Sequence, residues 1–377
     1  MADSLRFSAS FGYLLCFCIL FFSFNSYKSC VHGARELANH QNVVNKKKSL
    51  MPAPASTTGS DVTWIQCQPC DKCYDQEEPV FDPSKSSTFS DATCNTPTCP
   101  YSITYNDHSY SNGNNAQDTL TLSSTSFFPG FVFGCGRNNS ANFGKVAGVL
   151  GFEPGDTSIM TQTVNNFGQE FSYCLPLEET STGYLRFGQL AFETRQSSEI
   201  SIPIVTDSTW PNKYLVKLVG ITIGEKRVEM SANYVSGSLA STIIDSGTPI
   251  SRLPGQVYAE LRSAFQDSMS QYRPVNQSSD LLDTCYDLPG YDDDINNIVP
   301  SMKLHFDGSQ DLNLDPSAVV LKESDSRICF AFAGKKNSDD LTIIGNHQQR
   351  NLKISYSLLG YESGLGKVGF STGGCGN

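Results

Sequence analysis

One strand-and-loop pattern occurs twice in the chain and constrains its fold more than any other feature. In the second half, the apolar segment Thr242-Ile243-Ile244 leads into Asp245-Ser246-Gly247-Thr248, and Ile343-Ile344-Gly345 follows far downstream. The first half carries Thr58-Gly59-Ser60 and, at a similar spacing, Val149-Leu150-Gly151. Such a repeat predicts two similar lobes, each pairing a small-residue loop with an aliphatic strand that ends in glycine. The residues around 176–212 are then expected to connect the lobes.

The rest of the chain from Val62 onward is typical of a mostly β protein, because short alternating or apolar runs are separated by turn residues. One exception is Pro254–Tyr272, where Val257, Tyr258, Leu261 and Phe265 recur at helical spacing. A shorter helix is expected over residues 158–167. The predicted strands are Tyr101–Tyr105, Thr119–Leu122, Phe131–Phe133, Val146–Phe152, Tyr184–Phe187, Tyr214–Ile223, Thr242–Ile244, Ser301–Phe306, Ile328–Phe332, Leu341–Ile344 and Leu352–Tyr356.

Composition and charge limit the class of protein. The 377 residues are 39% hydrophobic and 17% charged, which favours a folded chain with a sizeable core over global disorder. The 27 basic and 38 acidic residues give a net charge of -11, which argues against a nucleic-acid partner. An acidic working compartment suits this charge, although acidity for solubility alone is an equal alternative.

The N-terminus is typical of a secretory signal. Arg6 precedes a mostly apolar run, Phe11–Phe24, which is short for a membrane span. We therefore expect a cleaved signal peptide over residues 1–26, with the cleavage site between Ser26 and Ala34, and a retained anchor is the alternative. Residues 27–56 are expected to be disordered, since they lack an apolar run.

The cysteines indicate disulfide bonds. Of 13 cysteines, two lie in the predicted signal peptide and Cys30 just after it. An even set in an exported chain predicts disulfides, while Cys67-x-x-Cys70-x-x-Cys73 with Cys94 and Cys99 leaves a zinc cluster as the weaker alternative. The remaining ten are Cys67, Cys70, Cys73, Cys94, Cys99, Cys135, Cys174, Cys285, Cys329 and Cys375. Glycosylation sequons begin at Asn138 and Asn276, which fits the secretory route.

The segment Asp245-Ser246-Gly247-Thr248 is the strongest candidate for chemistry. A carboxylate at a strand end, followed by glycine, sits on a tight turn where backbone amides can reach it. The hydroxyls of Ser246 and Thr248 are suited to orienting it. The four residues alone also fit a plain β-turn. Their apolar strand and the partner Ile343-Ile344-Gly345 favour a catalytic loop.

Together with further motifs, this loop resembles the plant nepenthesin-like group of pepsin-like aspartic endopeptidases. The resemblance covers residues 57–377 and implies a mostly β, bilobal pepsin-like acid protease fold with an incomplete N-terminal lobe. It implies an N-terminal lobe over 57–180, a C-terminal lobe over 181–377, and a monomer. The other motifs are Gly59–Trp64, the cysteine-rich Cys67–Cys99 insert, Phe133–Gly136, Phe171–Cys174 and Ile343–Asn346.

The family resemblance implies a catalytic pair of aspartates, one from each lobe, acting without metal or cofactor. Two close carboxyl groups share one proton, so one activates water while the other binds the scissile carbonyl. Asp245 matches the second-lobe aspartate, with Ser246, Gly247 and Thr248 in support. In the first lobe Thr58, Gly59 and Ser60 match the motif. Thr57 stands where the aspartate is expected, and threonine carries no negative charge.

The difference from the family extends upstream of Thr57. Family members have strands leading into the first aspartate, whereas this chain has Pro52-Ala53-Pro54-Ala55-Ser56. The first lobe is therefore expected to lack central strands and to expose a sheet edge. A truncated or mis-spliced product, or a divergent chain, explains such a sequence.

A substrate-covering flap is also implied by the resemblance. Tyr105-Asn106-Asp107-His108-Ser109 matches the family hairpin, with Tyr105 over the cleft and Trp64 as its hydrogen-bonding neighbour. Asn106 and His108 replace glycines, and histidine tolerates positive φ less well than asparagine. The alternative for Tyr105 is a packed strand aromatic.

The expected function is proteolysis of protein or peptide substrates at acidic pH, impaired by Thr57. The alternative is a non-catalytic secreted binding or inhibitor-like protein, because relatives of this fold inhibit cell-wall glycosidases. We expect location in the apoplast or vacuole, with no membrane association after signal cleavage. None of the five histidines forms a recognisable triad, and His347 is interpreted as a loop residue. The acidic run Asp292–Asp294 is interpreted as a solvated loop rather than a calcium site.

Overall fold

The structure is a computed structural model of the chain. It describes residues 4–8, 56–96, 98–123, 126–177, 182–191, 199–230, 241–275, 282–288, 295–324, 326–335, 341–361, 364–373 and 375. Several sequence-based expectations lie outside these residues. They are the apolar run Phe11–Phe24, the cleavage region, most of residues 27–56, the sequon at Asn276 and the run Asp292–Asp294.

The chain divides into two compact units, one ending at Asn166 and the other beginning at Phe167, and the described residues 4–6 group with the second unit. In its described part the first unit contains one seven-stranded sheet, which carries a long hairpin at its centre. Its strands, in spatial order, are Ser56–Thr57, Gly148–Gly151, Trp64–Gln66, Ser126–Asn139, Tyr110–Ser123 and Ser90–Asp91, with Pro100–Thr104 also pairing with Tyr110–Ser123.

The second unit contains three sheets in its described part. The six-stranded sheet has the order Ser4–Ser8, Thr182–Phe187, Glu170–Cys174, Leu352–Ser357, Lys367–Thr372 and Ile200–Pro203. The first of these strands lies within the segment predicted to be a cleaved signal peptide. The eight-stranded sheet has the order Gln310–Leu314, Met302–Phe306, Leu215–Ile223, Ser241–Ile244, Thr342–Ile344, Ser251–Leu253 and Phe332–Gly334, with Lys226–Glu229 also pairing with Leu215–Ile223. The four-stranded sheet has the order Arg273–Val275, Cys285–Asp287, Arg327–Phe330 and Val320–Ser324.

The predicted helix is confirmed over Gly255–Ser268. All four residues that indicated it are buried, and Phe265 stacks on Phe330 with ring centroids 4.5 Å apart. Burying such a side chain contributes about 2–3 kcal/mol to folding. The shorter prediction over 158–167 corresponds to two one-turn helices. The shorter helices in the described residues are Pro83–Lys85 and Gly188–Ala191 (both 3-10), Ile159–Gln162, Val164–Phe167, Ile295–Ile298, Pro316–Val319 and Asn346–Gln349.

The six-stranded sheet changes the interpretation of the segment between the repeats. Residues 176–212 are more than a connection, because they include the strands Thr182–Phe187 and Ile200–Pro203. Glu170–Cys174 was assigned to the first lobe from sequence, yet it pairs with Leu352–Ser357 near the C-terminus. Sequence proximity is a weak guide here, since this pairing joins residues far apart in the chain.

One side chain links this sheet to the strand before Asp245. The ring of Tyr356 stacks on Phe171 with centroids 4.5 Å apart, and its hydroxyl donates a hydrogen bond to the carbonyl oxygen of Ile244 at 3.2 Å. Tyr356 is 1% exposed, so this bond is shielded from water. The six-stranded sheet therefore helps to hold the end of the strand from which Asp245 projects.

All ten cysteines predicted to form disulfides do so, and the zinc alternative is wrong for them. The bonds are Cys67–Cys135, Cys70–Cys73, Cys94–Cys99, Cys174–Cys375 and Cys285–Cys329. Each bond lies within one unit. Among the helices that the structure describes, none is both long enough and apolar enough to span a membrane.

The disulfides should differ in their effect on stability. The Cys174–Cys375 bond closes a sequence separation of 201 residues, whereas Cys70–Cys73 closes one of 3. Chain entropy predicts a loss of about 5 kcal/mol in the free energy of unfolding for Cys174→Ser/Cys375→Ser and about 2 kcal/mol for Cys70→Ser/Cys73→Ser. Urea denaturation of both double variants measures this. Equal losses would contradict the prediction.

Candidate active site

The Asp245 loop, residues 245–248, begins where a fully buried strand ends. The strand Ser241–Ile244 pairs in parallel with Thr342–Ile344, and the ladder continues as the Asp245 N–H donates to the carbonyl of Ile344 at 3.0 Å. On its other side the strand pairs with Leu215–Ile223. Asp245 is therefore held between two strands at a position that the backbone fixes.

Both carboxylate oxygens of Asp245 accept hydrogen bonds from its own loop. The Gly247 N–H donates to Oδ1 at 2.7 Å, and the Thr248 hydroxyl donates to Oδ2 at 2.6 Å. The side chain is 7% exposed. The carbonyl oxygen of Ser246 accepts from the Asn346 side-chain amide at 3.0 Å. The loop thus orients one buried carboxyl group through short local bonds, as catalytic carboxylates require.

The Thr57 loop, residues 57–60, repeats this geometry in the first unit without a charge. Thr57 pairs with Gly151 at the end of a parallel strand pair, and its Oγ1 accepts the Gly59 N–H at 3.0 Å. Thr57 is 7% exposed, the same as Asp245. The Ser60 hydroxyl accepts the Val62 N–H at 3.2 Å. In this turn a hydroxyl accepts the amide hydrogen bond that a carboxylate accepts in the Asp245 loop.

Each loop is fastened to its own aliphatic strand by equivalent hydrogen bonds. The N–H of Gly151 donates to the Thr63 hydroxyl at 3.1 Å, and the N–H of Gly345 donates to the Ser251 hydroxyl at 2.9 Å. Thr63 and Ser251 stand at the same distance along the chain from the first residue of their respective loops. Ser251 was not singled out from sequence, although its alignment with Thr63 in the repeat was a usable signal.

The two strand-ending glycines are required by close backbone approach. A Cβ on Gly151 would lie 2.5 Å from the backbone carbon of Asp61, and a Cβ on Gly345 would lie 2.7 Å from that of Ile250. In each unit the chain leaving the loop crosses directly over the glycine. Both units therefore need a glycine at the end of the aliphatic strand, which explains why the pattern is repeated.

The two units differ in what lies beside the loop strand. Ser56–Thr57 is a two-residue strand at the edge of its sheet, and in the described chain it pairs only with Gly148–Gly151. The corresponding strand of the second unit, Ser241–Ile244, is flanked on both sides. The described part of the first unit thus lacks a counterpart to Leu215–Ile223, and the proline-rich segment before Ser56 is where the sequence predicts that difference.

The Tyr105 hairpin, residues 100–115, packs over Trp64 in the first unit. Trp64 Nε1 donates to the Tyr105 hydroxyl at 2.8 Å, and Phe143 meets the Tyr105 ring edge-on at 5.6 Å. Burial raises the pKa of Tyr105, and interactions with the side chains of Trp64 and Ser60 offset only part of that rise. Tyr105 thus stays protonated near the Thr57 loop.

The hairpin turn contains one strained position. His108 closes the turn by donating its N–H to the Tyr105 carbonyl at 2.9 Å, and it does so with φ at 64°. Asn106, the other position where the family resemblance implies a glycine, is not among the residues with positive φ. Of the two substitutions, only His108 places a bulky residue in the left-handed region.

Comparisons with known proteins identify the family to which this chain belongs. Residues 53–189 match the family described as xylanase inhibitor N-terminal, and residues 213–371 match the one described as xylanase inhibitor C-terminal. Aspartyl protease AED1 of Arabidopsis thaliana is 40% identical over 333 residues, covering 84% of this chain and 68% of the relative. Aspartic proteinase nepenthesin-1 of Nepenthes gracilis is 32% identical over 341 residues, covering 85% and 74%. The chain belongs to the plant pepsin-like aspartic protease family.

Solved structures agree on the fold. Conglutin gamma from lupine seeds superposes with a TM-score of 0.65 at 17% identity, covering 84% of this chain and 86% of the other. Basic 7S globulin from soybean gives 0.65 at 18% identity, covering 84% and 88%. At this level of identity the likeness shows the fold alone. The predicted mostly β, pepsin-like fold and the family resemblance are therefore confirmed.

One buried histidine, His347, is hydrogen-bonded to the segment that directly follows the Asp245 loop. His347 is 3% exposed, its N–H donates to the carbonyl of Pro249 at 3.1 Å, and its Nε2 bonds to the carbonyl of Val320 at 2.9 Å. It lies in the one-turn helix Asn346–Gln349 rather than in a loop. Burial, with a smaller effect of Arg350, lowers the pKa of His347 to about 4.

This histidine should make the second unit sensitive to acid. The unfolded chain protonates His347 near pH 6.5 and the folded chain only near 4, so stability is lost as the pH falls through that interval. The loss amounts to about 3 kcal/mol. Urea denaturation across the interval should show a shallower pH dependence for His347→Gln than for wild type. His108→Asn, at an exposed site, is the control, and an unchanged slope in His347→Gln would refute the assignment.

The hairpin strain is also testable. A left-handed residue other than glycine costs about 1–2 kcal/mol, and glycine costs about 0.5–1 kcal/mol in unfolded-chain entropy. We therefore expect His108→Gly to leave the melting temperature equal or higher and His108→Val to lower it. Asn106→Gly, in the same turn but without positive φ, should lower it slightly. A rise in Asn106→Gly with a fall in His108→Gly would reverse the conclusion.

Proposed function

We propose that this protein is an aspartic endopeptidase by descent whose peptide hydrolysis is impaired because Thr57 replaces the first aspartate. The observation that carries the proposal is the pair of matching turns. The Gly59 N–H meets a threonine hydroxyl in one unit, and the Gly247 N–H meets a carboxylate in the other. The substitution removes a charge while the turn is retained.

The chemistry of the family explains why one carboxyl group is insufficient. In a pair, the ionised member accepts a proton from water and the protonated member donates to the scissile carbonyl. Asp245 can fill one role at a time. The Thr57 hydroxyl remains neutral at working pH, so it cannot share a proton as a carboxylic acid does. Removing one member of a catalytic unit generally costs several orders of magnitude in rate.

A non-catalytic binding function is the second candidate. The observation that favours it is that both halves of the chain match families described as xylanase inhibitor, while the Asp245 loop and the Trp64–Tyr105 contact are both formed. Such a protein would bind a peptide or a protein partner with little turnover.

The proposal includes secretion to an oxidising compartment, the apoplast or the vacuole. The five disulfide bonds of the described chain support it, because such bonds persist in oxidising compartments. The proposed substrate or ligand is a protein or peptide, and the chain acts as a monomer without metal or nucleic acid.

Restoring the missing carboxyl group tests the catalytic proposal. At about pH 4, wild type and Thr57→Val should cleave an unfolded protein substrate at rates several orders of magnitude below that of Thr57→Asp. Adding Asp245→Asn to Thr57→Asp should abolish the gain. Release of fluorescent peptide fragments measures the rates.

Two outcomes would change the conclusion. Efficient cleavage by wild type that disappears in Asp245→Asn would show that Thr57 does not impair the protein. A folded Thr57→Asp variant that stays inactive would move the cause to the strand arrangement beside Ser56–Thr57, and would favour the binding function.

A further inference from the structure

Arg252 lies on the same sheet face as the Asp245 carboxylate. The residues Ile243, Ile343 and Arg252 are direct partners on three neighbouring strands, so their side chains project from one face. Asp245 follows Ile243 by two residues and continues its ladder, so its side chain projects from that face as well. The face also carries Leu215, which pairs with Ile243.

The spacing along this face fits an extended peptide. Arg252 is two strands away from Ile243, or about 10 Å, and Asp245 lies about 7 Å further along the sheet. An extended peptide advances about 3.4 Å per residue. A side chain a few residues away from the peptide group nearest Asp245 would therefore come within reach of the long Arg252 side chain.

The guanidinium of Arg252 is partly buried and has no anionic partner among the residues that the structure describes. Within the described residues it makes no ion pair or side-chain hydrogen bond, whereas Arg227, Arg262 and Arg327 each contact a carboxylate. Burial lowers the pKa of Arg252, and only Tyr258 opposes this effect. Withdrawing a cation from water without a partner is costly.

We propose that Arg252 binds a carboxylate of a peptide lying along the Asp245 face and so makes the protein selective for acidic peptides. A carboxylate accepts two parallel hydrogen bonds from a guanidinium, which supplies the missing partner. The inference rests on the proposed function in taking the Asp245 face as the peptide-binding face. It holds whether or not the bound peptide is cleaved.

Binding of matched peptides to the purified full chain tests the proposal. The probes are fluorescent octapeptides with amidated C-termini, in which Glu or Gln occupies each position in turn, and fluorescence anisotropy gives Kd. We expect Glu to bind about tenfold more tightly than Gln at one position. Peptides with a free C-terminus and no Glu distinguish a terminal carboxylate from a side-chain carboxylate as the ligand.

Variants assign the preference to Arg252. In Arg252→Gln the Glu-to-Gln ratio should fall to about one, and in Arg252→Lys it should be partly retained, because lysine keeps the charge but loses the paired donors. Arg227→Gln, which removes an exposed arginine paired with Glu229, should leave the ratio unchanged. Melting temperatures of all variants establish that they are folded.

Three results would overturn the inference: no Glu preference in wild type, a preference that survives in folded Arg252→Gln, or no peptide binding at millimolar concentration. Failure of the catalytic proposal is a separate outcome. If wild type cleaves the peptides, the same Glu-to-Gln ratio is read from kcat/KM. Impairment by Thr57 is then refuted, while the role of Arg252 is still decided by the ratio.

Discussion

The candidate site depends on one backbone crossing, which occurs once in each unit. A short strand ends in the loop, pairs in parallel with an aliphatic strand, and the chain then passes over the glycine that ends this partner. At Gly151 and Gly345 any larger residue would collide with backbone, which cannot move aside as a side chain can. The crossing fixes the first loop residue to the sheet, and the hydrogen bonds from the glycine amides to Thr63 and Ser251 secure it.

This scaffold accepts either a neutral or a charged side chain at the first position of the loop, Thr57 in one unit and Asp245 in the other. The turn needs an oxygen acceptor for the amide two residues ahead, and a threonine hydroxyl meets that need as well as a carboxylate. A threonine at this position therefore forms the same local turn as an aspartate does in the second unit. For the same reason, the fold that this chain shares with plant globulins does not indicate a shared function. Function depends on the chemical groups that the fold carries.

Local patterns were predicted well and long-range pairing was not. Helical spacing identified Gly255–Ser268, and each predicted strand overlaps an observed one, because periodicity reports which side of an element is buried. Many other described strands, such as Lys367–Thr372, were not predicted. The pairing of Glu170–Cys174 with Leu352–Ser357 escaped prediction, since no short-range pattern encodes a partner so distant in the chain. From sequence, Asn106 and His108 were both candidates for positive φ. Only the geometry of the turn decided that His108 adopts it.

The sequence by itself determined the repeated loops, the absence of a carboxylate at position 57, and an even set of ten cysteines from Cys67 onward. These are properties of residue identity and order, which no folding alters. Only the tertiary structure decided which cysteines pair, that Tyr356 supports the strand before Asp245, and that Arg252 shares the Asp245 face without a carboxylate partner in the described part of the chain. Such relations arise when distant strands come into register, so their physical basis lies in non-local pairing and burial.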